Sequence, residues 1–240
     1  MKVITTELQA SVAASSEDAA WPATNLFSDY VRQRWQAASG NTATLTVSIS
    51  AGGANTLALC YTNATSVAWT LKNSGGSTVS SGTKTLTTPN TVDRFWLEFT
   101  AQSAACSVVL VFTAPVGAVV YAGLIRAGVR SEFPNPNQDG KKEGRVSHSI
   151  VKPLSNGARY IKKRHIVRSF SGSIRMVRET QLRQWLDIFD DNGEEPLMWL
   201  PVHGIDDNQF VVFGHQLQPP DTGHSWPNHS LVTYYIEEAV

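Results

Sequence analysis

The sequence predicts a mainly β protein: two β-sandwich regions in series, the second flanked by one α-helix and carrying a long β-hairpin. Three observations predict it. Strand-length runs of β-branched and aromatic residues recur through the first half with Gly/Ser turns and no helical period. The composition changes at "SEFPNPNQDGKKEG" (131–144). A single stretch, "RETQLRQWLDIFDDNG" (178–193), switches to a 3.6-residue period.

In the first half, "ATLTVSIS" (43–50) alternates, with Leu45, Val47 and Ile49 on one face. "TLALCYT" (56–62), "SVAWTLKN" (66–73), "DRFWLEFT" (93–100) and "CSVVLVFT" (106–113) read as further strands, with "SGGS" (74–77) and "SSG" (80–82) as turns. Strands at this spacing imply an antiparallel sandwich or jelly roll. The apolar run "SVVLVFTAPVGAVVYAGLI" is broken by Thr113, Pro115 and Gly117, so it reads as two buried strands rather than a membrane helix.

Residues 131–144 have linker composition, with Pro134 and Pro136 alternating with Asn. Residues 1–132 hold 8 Lys+Arg and 7 Asp+Glu; the remaining 12 and 13 of the 20 and 20 crowd into 133–240. We therefore expect a first domain over 1–132, a linker over 133–143 and a second domain over 144–240.

In the second half, "GRVSHSIVK" (144–152) and "RYIKKRHIVRSFSGSIRM" (159–176) alternate as strands. In the helix, Leu182, Trp185, Leu186 and Phe189 fall at i, i+3, i+4 and i+7 and form the packing face, with Asn192-Gly193 as its stop. "PLMWLPV" (196–202), "NQFVVFGHQLQ" (208–218) and "LVTYYIEEAV" (231–240) are strands, the last two separated by the polar loop "PPDTGHSWPNH".

Composition narrows the function. The chain has 240 residues, 17% of them charged, with a formal net charge of zero. Dedicated nucleic-acid binders carry a basic excess instead. The N-terminus has no continuous apolar core, so no secretory signal is expected, and synthesis in the cytoplasm follows. Cys60 and Cys106 lie in apolar strands and read as buried free thiols.

No catalytic constellation stands out. Four of the six histidines, His203, His215, His224 and His229, accompany Asp206, Asp207 and Asp221, but their spacing matches no zinc pattern. His148 and His165 lie apart from them. The acidic pairs Asp190/Asp191, Glu194/Glu195 and Glu237/Glu238 are sequence neighbours, which does not place two carboxylates across a substrate. Glu194 and Glu195 read as turn residues. No nucleophile elbow, Walker loop or dinucleotide fingerprint occurs. We expect no enzyme, no metal and no cofactor.

The basic run "RYIKKRHIVR" (159–168) is the strongest charge feature. Period 2 puts Lys162, Arg164 and Ile166 on one face and Lys163, His165 and Val167 on the other. Lys162, Lys163, Arg164 and Arg168 are candidates for a subunit interface. A plain solvated strand and a nucleic-acid contact are the alternatives, the latter weakened by a lack of aromatics beyond Tyr160.

Two resemblances add to this reading. The order "ASSEDAAWPATNLFSDYVRQRW", "LTVSI", "LALCYTNA" and "VYAGLIRAG" resembles the galactose-binding-like (discoidin-like) jelly roll over residues 8–130. That resemblance implies that Pro22, Asn25 and Leu26 shape a loop tucked into the core and that Trp35 leads into the first sheet. Trp21, Leu26 and Trp35 are then core and plug residues in preference to a sugar platform; Trp21, Tyr30 and Trp35 remain the candidate ligand loop. The second half, from Gly144-Arg145 through "FSGSI" and "PLMWLP" to "YYIEEAV", resembles the tail-tube-type sandwich of tail tube and distal tail proteins of long-tailed bacteriophages. In many of those the accessory sandwich follows or interrupts the tube-like domain, whereas here it comes first.

The second resemblance implies a structural virion protein made in the host cytoplasm: a distal tail hub or adaptor. It would form a homo-oligomeric, six-fold ring between the tail tube protein and the baseplate, tip or fibres. DNA would pass the channel only as cargo, and no membrane is involved. The alternative is an accessory tail protein that binds host-surface glycans.

Overall fold

The computed structural model describes all residues except 31, 87–92, 137–140, 154–158, 194, 205–206, 218–221, 227 and 240, together with the side chains of 178, 207 and 222–226. Of the positions weighed above, Glu194, Asp206, Asp221 and the side chains of Asp207 and His224 lie outside the described residues. The fold is mainly β, with 57% strand and 11% helix.

In chain order the strands are β1 (Lys2–Glu7), β2 (Gln9–Ala14), β3 (Trp35–Gln36), β4 (Thr42–Ile49), β5 (Ala54–Cys60), β6 (Ser66–Asn73), β7 (Thr78–Thr85), β8 (Phe95–Gln102) and β9 (Cys106–Thr113). Then come β10 (Tyr121–Ala122), β11 (Leu124–Glu132), β12 (Lys142–Ser147), β13 (Ile150–Pro153), β14 (Arg159–Lys162) and β15 (Ile166–Val177). Helix α1 (Arg183–Asn192) precedes β16 (Leu197–Leu200), β17 (Val212–Gln216), β18 (Thr222–Trp226) and β19 (His229–Glu238).

Contacts divide the chain into two units. One is Met1–Glu132 with Leu197–Val212; the other is Phe133–Pro196 with Phe213–Val240. The continuous second domain expected over 144–240 is thus interrupted. Leu197–Leu200, fully buried, pairs with β1 (Val3 opposite Trp199) and belongs to the first unit. The physical reason is burial: four consecutive apolar side chains need cover on both faces, and β1 offers an open edge. The expected linker also begins late, because Phe133 is a core residue of the second unit.

The first unit is a sandwich. One sheet runs β2-β4-β9-β6-β7; the other places β16, β1, β11, β5 and β8 side by side. Leu45, Val47, Leu110 and Phe112 from one sheet meet Leu57, Leu59, Phe95 and Ile125 from the other. Burying a side chain of this size contributes roughly 1.5–3 kcal/mol. A bulge between Ile4 and Thr6 brings β1 so close to β11 that a Cβ on Gly128 would lie 1.8 Å from the Thr6 carbonyl oxygen.

Two turn assignments change. "SSG" (80–82) lies inside β7, paired with β6. This edge strand is mostly exposed on both faces, so it lacks the apolar alternation that marks a strand. "PPDTGHSWPNH" contains β18, which pairs with β19.

The second unit sets β12, β15, β19 and β17 in antiparallel order, with β18 on β19. The expected strand 144–152 breaks at His148-Ser149, and 159–176 breaks at 163–165. Lys163 and Arg164 there cannot alternate into a core, and the Arg164 N–H donates to Ser149 Oγ instead (3.1 Å).

The turn leading into α1, Arg178–Leu182, is π-type. The buried stripe is Leu182, Trp185 and Ile188; Ile188 extends the apolar arc to the side away from Leu186, which falls at the arc's edge and, though expected in the packing face, is 37% exposed. Phe189 is half-buried against Trp185. The helix ends at Gly193, whose φ of +57° suits glycine and whose N–H donates to the Phe189 carbonyl (2.8 Å).

Candidate functional site

Two places carry unusual chemistry. The first lies in the loops of the sandwich unit. A 3-10 turn over Ala23–Phe27 follows Pro22 and buries Ala23 and Leu26. Asn25 Nδ2 holds the Arg34 carbonyl at 3.0 Å. Trp35 is fully buried, donates from Nε1 to the Ser16 carbonyl (3.2 Å) and packs on Phe112. Of the candidate ligand loop, Trp35 is therefore core, Trp21 is half-buried and Tyr30 is 72% exposed.

Arg34 completes this place. Its guanidinium carbon lies 5.3 Å from the Trp21 ring and 4.6 Å from the Tyr121 ring. Its Nε is buried without a hydrogen-bond partner among the described residues. Asn63 fixes Tyr121 by accepting from its N–H (2.9 Å) and donating to the Val119 carbonyl (2.7 Å). Sequence reasoning missed Arg34 and Tyr121. They meet Trp21 through space, and no local period announces it.

Beneath the same loop, Arg126 is buried at 1% exposure. Its guanidinium lies 2.8 Å from Glu7 Oε1 and 2.6 Å from Asp29 Oδ1, and donates to the carbonyls of Leu26 (3.3 Å) and Ile125 (2.9 Å). Burial pushes the Glu7 carboxyl above its ordinary range, against the pull of Arg126 and a hydrogen bond from Gln9. This arrangement ties the loop to β11 and leaves Asp29 and Tyr30 at its crest.

The second place is the β13–β14 hairpin, a two-stranded sheet of its own. Val151 pairs with Ile161 and Lys152 with Tyr160. Val151, Ile161 and Tyr160 are 52%, 56% and 52% exposed. Lys162, Lys163, Arg164 and His165 are exposed beside them, and Ile166 is 64% exposed. Arg168 does not join this group. Its guanidinium sits against Glu143 (3.0 Å) and over the Phe170 ring, and it belongs to the sheet of its own unit. The expected alternation through 162–167 does not form, because 163–165 are outside any strand.

Elsewhere the chemistry is sparse. Cys60 and Cys106 are buried; the Cys60 thiol lies 3.7 Å from Met198 Sδ, and burial pushes the Cys106 thiol up. His148 lies 2.6 Å from Glu237. Among the described residues no three His, Cys, Asp or Glu side chains gather as metal ligands, and no helix is long and apolar enough to cross a membrane.

No known family profile matches the chain, and no curated protein sequence matches it. Several solved structures are similar to about half of this chain. Chitosan-binding module 1 of a chitosanase/glucanase from Paenibacillus sp. IK-5 shares 20% identity at a TM-score of 0.42, covering 54% of this chain and 100% of that one. The family 32 module of Clostridium perfringens NanJ, solved with galactose, shares 16% identity at 0.42, covering 55% and 100%. The family 32 module of AlyQ, solved with 4,5-unsaturated mannuronic acid, shares 19% identity at 0.39, covering 51% and 97%.

Proposed function

We propose that this chain is a non-enzymatic structural protein of a long-tailed phage tail, an adaptor that assembles with copies of itself into a ring at the distal end of the tail tube. The observation that carries the assembly half of this reading is the free-standing hairpin. A two-stranded sheet is marginal in water by itself. This one exposes the cross-strand pair Val151/Ile161 and the ring of Tyr160 to solvent, with no further strand on either edge among the described residues. Open edges with apolar side chains are the means by which one chain adds to another. The tail assignment rests on the order of elements in the second half, from Gly144-Arg145 to "YYIEEAV". In this reading the partners are a tail tube protein on one side and baseplate, tip or fibre proteins on the other.

The test is the oligomeric state of the purified full chain by light scattering and negative-stain imaging. Closed rings, six-fold by this reading, are expected. A monomer at every concentration removes the proposal.

A second reading concerns the first unit alone: recognition of host-surface glycans. It is favoured by Arg34, whose guanidinium lies between Trp21 and Tyr121 with an unpartnered Nε, close in sequence to the exposed Tyr30. Aromatic rings next to an arginine suit the apolar face and the hydroxyls of a sugar. A glycan array on the full chain tests this reading. Binding that is lost in Arg34→Ala supports it, and no binding to any glycan rejects it.

A further inference from the structure

We infer that the β13–β14 hairpin of one copy docks on the exposed, acidic face of α1 in the next, making a head-to-tail contact between copies; this rests on the assembly reading and names its partner surface. The occupant follows from charge complementarity within the second unit. Residues 145–178 contain nine Lys and Arg and no Asp or Glu, whereas 184–196 and 213–240 of the same unit contain eight Asp and Glu and no Lys or Arg. The charges are thus sorted along the chain into a basic stretch and an acidic one.

The structure leaves both surfaces unused. Lys162, Lys163 and Arg164 on the hairpin side are exposed, and so are Asp187, Asp190 and Asp191 on α1; none of the six has an ion-pair partner among the described residues. Asp190 and Asp191 sit at the wrong end of their helix. A helix C-terminus carries partial negative charge, which favours cations there, and the last turn of α1 holds no basic residue. A cation from outside the chain relieves that repulsion. Apolar surface matches as well: Leu186, 37% exposed on the same helix, offers a seat for the exposed Val151/Ile161 pair. Arg183, one turn before Asp187, is the only exposed base on α1 with a described side chain and lies at the far end from Asp190 and Asp191.

The geometry of the contact follows. A symmetric contact of hairpin on hairpin would set three cations against three cations, which complementarity forbids. Hairpin on helix is heterologous, and a heterologous contact builds a ring when its rotation closes and an open filament when it does not.

Two reversals test it on the full chain. Lys162→Glu/Lys163→Glu/Arg164→Glu and Asp187→Lys/Asp190→Lys/Asp191→Lys each leave like charges at every contact. Each alone is expected to weaken assembly at least tenfold in light scattering, with the circular dichroism of the wild type. Mixed one to one, the two variants face opposite charges again and are expected to assemble. Normal assembly of the helix variant, or a mixture that stays monomeric, overturns the inference while leaving a ring-forming wild type and the assembly reading intact. A wild type that is monomeric throughout defeats both. Should a variant misfold, zero-length carbodiimide cross-linking of mixed 14N- and 15N-labelled wild-type chains decides. Inter-chain links from Lys162 or Lys163 to Asp190 or Asp191 are expected, and inter-chain links that all fall elsewhere overturn it.

Discussion

Phe133 stands edge-on to Trp185, their ring centroids 5.0 Å apart and their planes at 85°. A residue of linker composition thereby anchors the start of the second unit to helix α1. Both side chains are buried, and Trp185 also meets Phe189 at 5.8 Å.

From this contact we expect Trp185→Ala to destabilise the second unit by roughly 3–5 kcal/mol. Edge-to-face pairs contribute about 0.5–1.5 kcal/mol beyond their buried area. A double-mutant cycle of Phe133→Ala and Trp185→Ala in urea should show coupling of that size. Additive losses would mean that the two rings merely share a core.

The fragment 1–132 is expected to aggregate when expressed alone. It lacks β16, which pairs with β1 and buries Leu197, Met198, Trp199 and Leu200 in the first unit. Without it, the edge of β1 is an open template carrying the apolar side chains of Val3 and Ile4. The same fragment joined through a flexible linker to 197–212 should elute as a monomer. A soluble, monomeric 1–132 would show that β16 is dispensable.

These elements also show what a sequence exposes and what it conceals. β4 was legible because Leu45, Val47 and Ile49 share a single buried face. β7 was not, since an edge strand with little to bury has no period to read. The strand character of "LMWL" was legible, but its partner was not: apolar content announces a strand without naming the edge it covers. Leu186 was misplaced because Ile188 was left out of the apolar arc: with Ile188 included the arc centres on Trp185, and Leu186 falls at its edge. In the candidate sites, the cations at 162–164 were legible as a run. The Val151/Ile161 pair depends on hairpin register, and the stack of Trp21, Arg34 and Tyr121 joins positions with no shared period.

Stability should fall in acid through Glu98. Burial alone would raise its carboxyl, but a hydrogen bond from Lys2 (2.7 Å) and the charge of Arg130 (3.2 Å) outweigh burial and hold it below its ordinary value of 4.5. A carboxyl depressed by folding contributes stability that is full above the unfolded value and is lost as pH falls from there through the folded one. Urea midpoints should therefore drop more steeply for the wild type than for Glu98→Gln between about pH 5 and pH 3. Glu7, raised by burial, acts with the opposite sign in both proteins, so the comparison isolates Glu98. Parallel curves would remove Glu98 from the acid response.

Arg126 gives the sharpest test of how the loop at 23–30 is held. The guanidinium is buried and serves four acceptors: Glu7, Asp29 and the carbonyls of Leu26 and Ile125. Removing it strands the Glu7 carboxyl, already pushed up by burial, and frees Asp29 from its anchor. Breaking a buried ion pair by deleting one partner costs about 3–5 kcal/mol. Because Glu7 and Asp29 are partly exposed, the lower end of that range is expected for Arg126→Ala. Arg126→Lys should recover little, since one ammonium cannot span acceptors arranged for a planar fork. Hydrogen exchange should locate the change: amides of 23–30 should lose protection in both variants, while those of β4 and β9 keep theirs. Uniform loss across the sandwich would make Arg126 a general core residue rather than the tether of the loop.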